Sequence, residues 1–222
     1  MLEIRAGTGK ATRSLLARGA RVVAIEIGGR LAAFLEQKLS PEFAARLRVI
    51  NDSFEECDVE PESFGVVASA TAFHWIDPAV RLQKSHDVLR PGGVIAIIGT
   101  NQIRSDADRG FFERTFPIYL KYRPDEQNTE LPGEDVVPSE YDEIERSGLF
   151  ADVTLRRYRW DQTYSTADYA DLVRSYANTQ MMPESDREGL IGDLCRVIDD
   201  EYDGSVTRPL VVTLTLGRWA VR

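Results

Sequence analysis

Over the first hundred residues, short unbroken apolar runs alternate with segments whose apolar residues recur every three or four positions. Leu2–Ile4 is the stub of an apolar strand, and residues 10–18 read as a helix that Gly19 ends. Residues 21–25, Arg-Val-Val-Ala-Ile, form a buried-strand run that stops at Glu26. Leu31, Phe34, Leu35 and Leu39 then fall at i, i+3, i+4 and i+8, one face of a helix that Pro41 is expected to close. Leu47–Ile50 and Phe64–Ala70 are further strands, and residues 77–89 read as a helix. The Pro91-Gly92-Gly93 turn then leads into an apolar run over 94–98. Strands that are continuously apolar and alternate with helices predict a parallel sheet covered on both faces.

After Gly99 the pattern changes. Residues 101–150 are polar and aromatic, and Pro117, Pro124, Pro132 and Pro138 break them into short helices and loops. Residues 153–160 alternate like a strand, 165–201 are mostly helical by period, and 209–216 form a final strand. The helical stretch between these last two strands has the position and aromatic content of a cap over a binding cleft. No internal repeat and no low-complexity segment interrupts the chain.

Composition narrows the classes. At 222 residues with 43% hydrophobic content, the chain has enough apolar side chains for a sizeable core. A net charge of -9 argues against a general affinity for phosphate backbones, so no nucleic-acid partner is expected. The basic run Leu155-Arg156-Arg157-Tyr158-Arg159 alternates like a strand and is read as a solvated face. Cys57 and Cys195 stand far apart without metal-ligand spacing, so free thiols in a reducing compartment and no metal site are expected. The sequence has no apolar run of membrane-spanning length and begins without the pattern of a signal peptide. The expectation is a soluble, cytoplasmic protein with no membrane partner, its oligomeric state left open.

The stretch MLEIRAGTGKAT carries the candidate chemistry. A strand, a glycine loop and a helix present backbone N–H groups and a positive helix end to a polar ligand. Glu26, 19 residues after Gly7, can accept hydrogen bonds from the two ribose hydroxyls of an adenosine cofactor. Two cofactors compete. A dinucleotide loop reads GxGxxG, whereas the register here is Gly7-x-Gly9-x-x-Thr12, without the third glycine. Glu3, inside the end of the first strand, is also out of place beside a pyrophosphate.

Glu3-x-x-x-Gly7-x-Gly9 resembles the first motif of class I S-adenosylmethionine-dependent methyltransferases. Four further stretches match that family in order. Val23-Ala24-Ile25-Glu26 is similar to the second motif, whose acid binds the ribose diol. Asn51-Asp52-Ser53-Phe54 is similar to the loop whose acid meets the adenine amine, and residues 67–75, ending Phe73-His74-Trp75, resemble the strand end that lines the methyl-donor site. Residues 88–93 resemble the turn into the fifth strand. The likeness is close over residues 1–100 and extends to the rest only in outline. It points to the small-molecule branch often called type 11 or UbiE-like.

The resemblance implies an α/β fold, a Rossmann-like three-layer sandwich. Its sheet would be seven-stranded and mostly parallel, with an antiparallel last strand and a helical cap. One methyltransferase domain would span 1–222, with residues 1–100 as the cofactor-binding half and 101–150 and 161–205 as cap insertions. The implied cofactor is S-adenosyl-L-methionine. The residues it places at the cofactor are Glu3, Ala6, Gly7, Gly9, Glu26, Ile27, Asp52, Ser53, Phe54, Ser69 and Thr71. The implied partner is a small-molecule methyl acceptor.

His74, just past the fourth strand, is the candidate catalytic base where the acceptor must lose a proton, against a plainer role in packing near Trp75. Phe73 or Trp75 could face a sulfonium, with core packing the alternative. Tyr119, Tyr122, Tyr164, Tyr169 and Tyr176 are candidates to line an acceptor pocket or to pack a cap's own core. Arg5 stands where family members usually carry glycine, and a side chain there is expected to reduce cofactor affinity. The family pattern also usually sets some tens of residues ahead of the first strand, which here begins at Leu2. A nicotinamide-dependent oxidoreductase and a non-catalytic S-adenosylmethionine binder are the competing readings.

Overall fold

The computed structural model describes residues 1–125 and 130–219. Its strands are β1 (Leu2–Ile4), β2 (Val22–Ile25), β3 (Leu47–Ile50), β4 (Phe64–Ala70), β5 (Leu89–Gln102), β6 (Phe150–Ser165) and β7 (Ser205–Trp219). They form one seven-stranded sheet in the order β3-β2-β1-β4-β5-β7-β6. The pairs among β1 to β5 are parallel. The N–H of Ile103, just past β5, donates to Pro209 O, and Arg218 reaches Gly92 O near the start of β5. β7 therefore runs against β5, and the reversed last strand expected from the sequence is present.

Helices α1 (Lys10–Ala17), α2 (Gly29–Phe43) and α3 (Pro78–Val88) connect the parallel strands. Side chains on a strand alternate between its faces, and β2 shows the consequence. Val22 and Ala24 enter one core with Leu16 of α1 and Leu35, Leu39 and Phe43 of α2. Ile25, with Val23 packed at its edge, enters another with Leu2, Ile4, Val67 and Leu82 of α3. These are the two faces of a three-layer α/β arrangement. On β1 the same alternation sends Leu2 and Ile4 to the α3 side and leaves Glu3 on the α1 side.

Several boundaries differ from expectation, each for a local reason. Pro41 lies inside α2, in its last turn, so the helix runs two residues further, to Phe43. The buried stripe of α2 is Ala32, Leu35, Leu39 and Phe43, while Leu31 and Phe34 are 42% and 47% exposed. The small Ala32 lets the helix lie close to the sheet and rotates the apolar pair outward, with Lys38 over the Phe34 ring. Pro91-Gly92-Gly93 does not break β5. The register passes from Phe64 opposite Leu89 to Val66 opposite Val94, so the turn residues form a bulge within the strand.

The chain divides into two compact units. One comprises residues 1–100, 137–157 and 212–222, and the other residues 101–136 and 158–211. The second unit contains α4 (Phe111–Tyr122), α6 (Thr166–Ser175), α7 (Ala177–Gln180) and α8 (Glu184–Glu201), whereas α5 (Ser139–Arg146) belongs to the first. The second unit has its own core, in which Phe111 meets Tyr169 and Tyr202 edge-on, both at 5.2 Å between ring centres. Val173, Leu190, Leu194 and Ile198 fill the space beneath. No helix among the described residues is long and apolar enough to cross a membrane.

Candidate active site

The residues predicted at the cofactor, and His74, all lie in the first unit around the glycine loop, whereas the five candidate acceptor-pocket tyrosines lie in the second. Arg5, Gly7 and Gly9 have φ of +58°, +58° and +77°, so alternate residues are left-handed. The loop is held by Ala6 N–H donating to Ile25 O at 3.1 Å and Gly9 N–H to Ala6 O at 3.0 Å. A Cβ on Gly9 would sit 3.0 Å from both Leu35 Cγ and Leu39 Cδ1, so glycine lets α2 pack against the start of α1. A Cβ on Gly7 would meet nothing within 4 Å, which leaves the loop facing open space.

Arg5 is the exception to the loop's chemistry. A left-handed conformation costs a non-glycine residue about 1 kcal/mol, which explains why glycine is the usual occupant. Its Nη2 donates to Trp75 O at 3.4 Å, and its Nε is buried without a partner. The side chain thus joins the glycine loop to the 3-10 turn Phe73–Trp75 after β4.

Glu26 is 4% exposed, and its carboxylate is the clearest feature of the site. Oε2 accepts from Gly7 N–H and Oε1 from Gly28 N–H, both at 2.8 Å. A Cβ on Gly28 would lie 3.0 Å from Oε1, so only glycine leaves the carboxylate undisturbed. From the end of β3, Asn51 Nδ2 donates to Glu26 O at 2.8 Å and to Ile27 O at 3.1 Å. The ends of three neighbouring strands are thereby tied to one acid. A carboxylate has about four lone-pair sites, and two backbone donors leave further acceptor capacity.

The remaining predicted residues divide by exposure. Ile27 and Asp52 are exposed, and Asp52 Oδ1 accepts from Ser53 N–H at 2.8 Å. Ser53 Oγ accepts from Glu56 N–H, which closes the turn after β3. Phe54 is buried and takes Lys84 Nζ over its ring, so its side chain serves the core. Ser69 is buried and donates to Ile4 O at 3.3 Å, joining β4 to β1 beside the loop. Thr71 is exposed in a left-handed conformation at the end of β4. His74 is exposed in the 3-10 turn, its ring 5.0 Å from that of the 68%-exposed Trp75, while Phe73 is buried in the core.

Glu3 behaves differently from Glu26. It is 2% exposed, and burial pushes its carboxyl up to about 7, with the nearby Thr12 opposing the rise. Its Oε2 and the Thr12 hydroxyl are both buried without a hydrogen-bond partner. Glu3 therefore faces α1, which carries Thr12.

Gly28 and Asn51 were not singled out from the sequence as site residues. The signal for Gly28 was its place two residues after the strand-end acid, and Asn51 lay within the matched third stretch. Among the described residues no group of three His, Cys, Asp or Glu side chains is gathered as a metal site.

Comparison with known proteins agrees with this geometry. A family profile described as methyltransferase domain matches residues 2–97. An uncharacterized methyltransferase of Mycobacterium tuberculosis is 36% identical over 98 residues, covering 44% of this chain and 38% of that protein. The chain thus spans well under half of that relative's length. An uncharacterized methyltransferase of Schizosaccharomyces pombe is 25% identical over 200 residues, covering 89% of this chain and 73% of that one. Among solved structures, the fold resembles a Haemonchus contortus phosphoethanolamine N-methyltransferase 2 complexed with phosphomonomethylethanolamine and S-adenosylhomocysteine. There the TM-score is 0.57 at 17% identity, covering all of this chain and 48% of that one.

Proposed function

We propose that the chain, whose residues 2–97 match a methyltransferase-domain profile, transfers a methyl group from S-adenosylmethionine to a small-molecule acceptor. The observation that carries this reading is the Glu26 carboxylate, clamped by the N–H groups of Gly7 and Gly28 beside a loop that opens above Gly7.

The residues present fit the cofactor. Glu26 retains the lone pairs to accept a pair of ribose hydroxyls, and Asp52 is an exposed acid on the adjoining loop, suited to an adenine amine. The space above Gly7 admits a ligand against the backbone. When bound, S-adenosylmethionine supplies a methyl carbon made electrophilic by its positively charged sulfur.

With the leaving group already activated, the chain's task is alignment and exclusion of water. Thr71 and the 3-10 turn, exposed at the end of β4, are the groups against which an acceptor would be aligned. His74 is placed to take a proton from an acceptor that must lose one, its ring open to a ligand on the exposed side of the turn. The missing third glycine leaves a dinucleotide cofactor without a matching loop, as Thr12 is fully buried where that glycine would stand.

Calorimetric titration tests the reading. S-adenosylmethionine and its demethylated product should both give saturable heat, and NAD none. Heat with NAD and none with S-adenosylmethionine would reverse the assignment.

A further inference from the structure

The second unit contains a cavity of about 210 Å³ that the proposed cofactor loop does not use. Phe112, Phe116 and Tyr119 of α4 line it at i, i+4 and i+7, one face of that helix. The Phe112 and Phe116 ring centres are 6.3 Å apart, so the wall offers successive aromatic faces. Tyr169 and Tyr176 contribute from α6 and the residue after it, and Arg208 of β7 from the far end of the sequence.

Two cations line the cavity, Arg123, whose guanidinium lies over the Tyr119 ring at 5.0 Å, and Arg208. Arg208 Nε and Nη2 donate to Gln102 Oε1 at 3.0 and 2.8 Å, and Nη1 donates to Tyr176 OH at 2.6 Å. Three of the five guanidinium N–H groups are used on neutral oxygens, which leaves two. Among the described residues, no carboxylate lies within ion-pair distance of this arginine. Several other cations of the same unit are paired with acids: Arg114 with Glu201, Lys121 with Asp193, and Arg174 with Asp171 and Glu188. A half-buried cation with only neutral partners is an incomplete arrangement that an anion would complete. The Tyr119 and Tyr169 hydroxyls, 3.4 Å apart, add donors, and burial raises both so that they keep their protons at neutral pH.

We propose that this cavity binds a small aromatic acid, its ring against the Phe112 and Phe116 faces and its carboxylate on Arg208. The volume is below the roughly 300–1,000 Å³ of drug-sized pockets, which restricts the ligand to about one substituted ring. The aromatic wall selects a planar apolar body, and the arginine selects against neutral analogues. The site lies wholly within the second unit and does not depend on methyl transfer.

The test is ligand-observed NMR on the whole chain without cofactor, using benzoate, phenylacetate and cinnamate, with benzamide and acetate as controls. At least one aromatic carboxylate should bind saturably, and benzamide and acetate about tenfold or more weaker, the loss of a charge-assisted hydrogen bond or of the ring. Arg208→Gln should weaken the aromatic acid by about tenfold, and Phe112→Ala should also weaken it. Benzamide binding as well as benzoate, an unaltered affinity in Arg208→Gln, or no binding by any of the three acids would overturn the proposal. Should Arg208→Gln melt early, the acid-against-amide comparison on the unaltered protein still decides. S-adenosylmethionine titration reads the glycine loop separately, so either site can fail while the other stands.

Discussion

Glu26 in the first unit and Arg208 in the second are both ions withdrawn from water, but they are held by different means. Backbone N–H groups hold Glu26, and both donors are glycines, Gly28 because a Cβ would crowd the carboxylate and Gly7 because the loop there is left-handed. Side chains hold Arg208, through an amide and a phenol. A backbone-held ion imposes residue types at fixed spacings, whereas a side-chain-held ion only needs suitable groups to meet in space. Glu3 extends the contrast. It is a buried acid on the strand next to Glu26 with no backbone donor on its second oxygen, and its carboxyl rises to about 7.

That contrast predicts a pH dependence of stability. The folded protein holds the Glu3 proton up to about pH 7, whereas the unfolded chain releases it near the ordinary glutamate value of 4.5. Between those values the folded state binds more protons than the unfolded state, so stability falls as pH rises and levels off above the folded value. The effect is about 3 kcal/mol from this group alone. Denaturant melts at pH 5 and pH 8 should show the fall, and Glu3→Gln should remove most of it, making the variant the more stable at pH 8. A Glu3→Gln profile that tracks the unaltered protein would show that Glu3 is charged and satisfied in the fold.

A smaller effect is expected at Arg5, where the loop departs from its own rule. Arg5→Gly removes a left-handed strain of about 1 kcal/mol but adds unfolded-state freedom of similar size, so stability should change little. S-adenosylmethionine affinity should instead rise by about fivefold as the side chain leaves the loop. Unchanged affinity would mean that the Arg5 side chain, directed at Trp75 O, stands clear of the ligand.

The same contrast explains what could be read from the sequence. The order of strands and helices over the first hundred residues was legible because parallel strands are apolar throughout and their ends carry glycine and acid in fixed register. Glu26 was singled out by its place at the end of the second strand, 19 residues after Gly7, together with the resemblance of residues 23–26 to a family motif. The α2 face was misread because periodicity identifies apolar residues, not which of them the sheet covers, and Ala32 displaced Phe34. The Arg208 cluster left no sequence signature, since Gln102 and Arg208 lie 106 positions apart and meet only through the sheet order.

The central claim is that Glu26 holds the methyl donor, and it is tested most directly by titrating S-adenosylmethionine into the unaltered protein and Glu26→Ala. The account predicts saturable binding to the first and at least about a hundredfold weaker binding to the second, as two charge-assisted hydrogen bonds are lost. Equal affinity in the two proteins, with Glu26→Ala still folded, would contradict it.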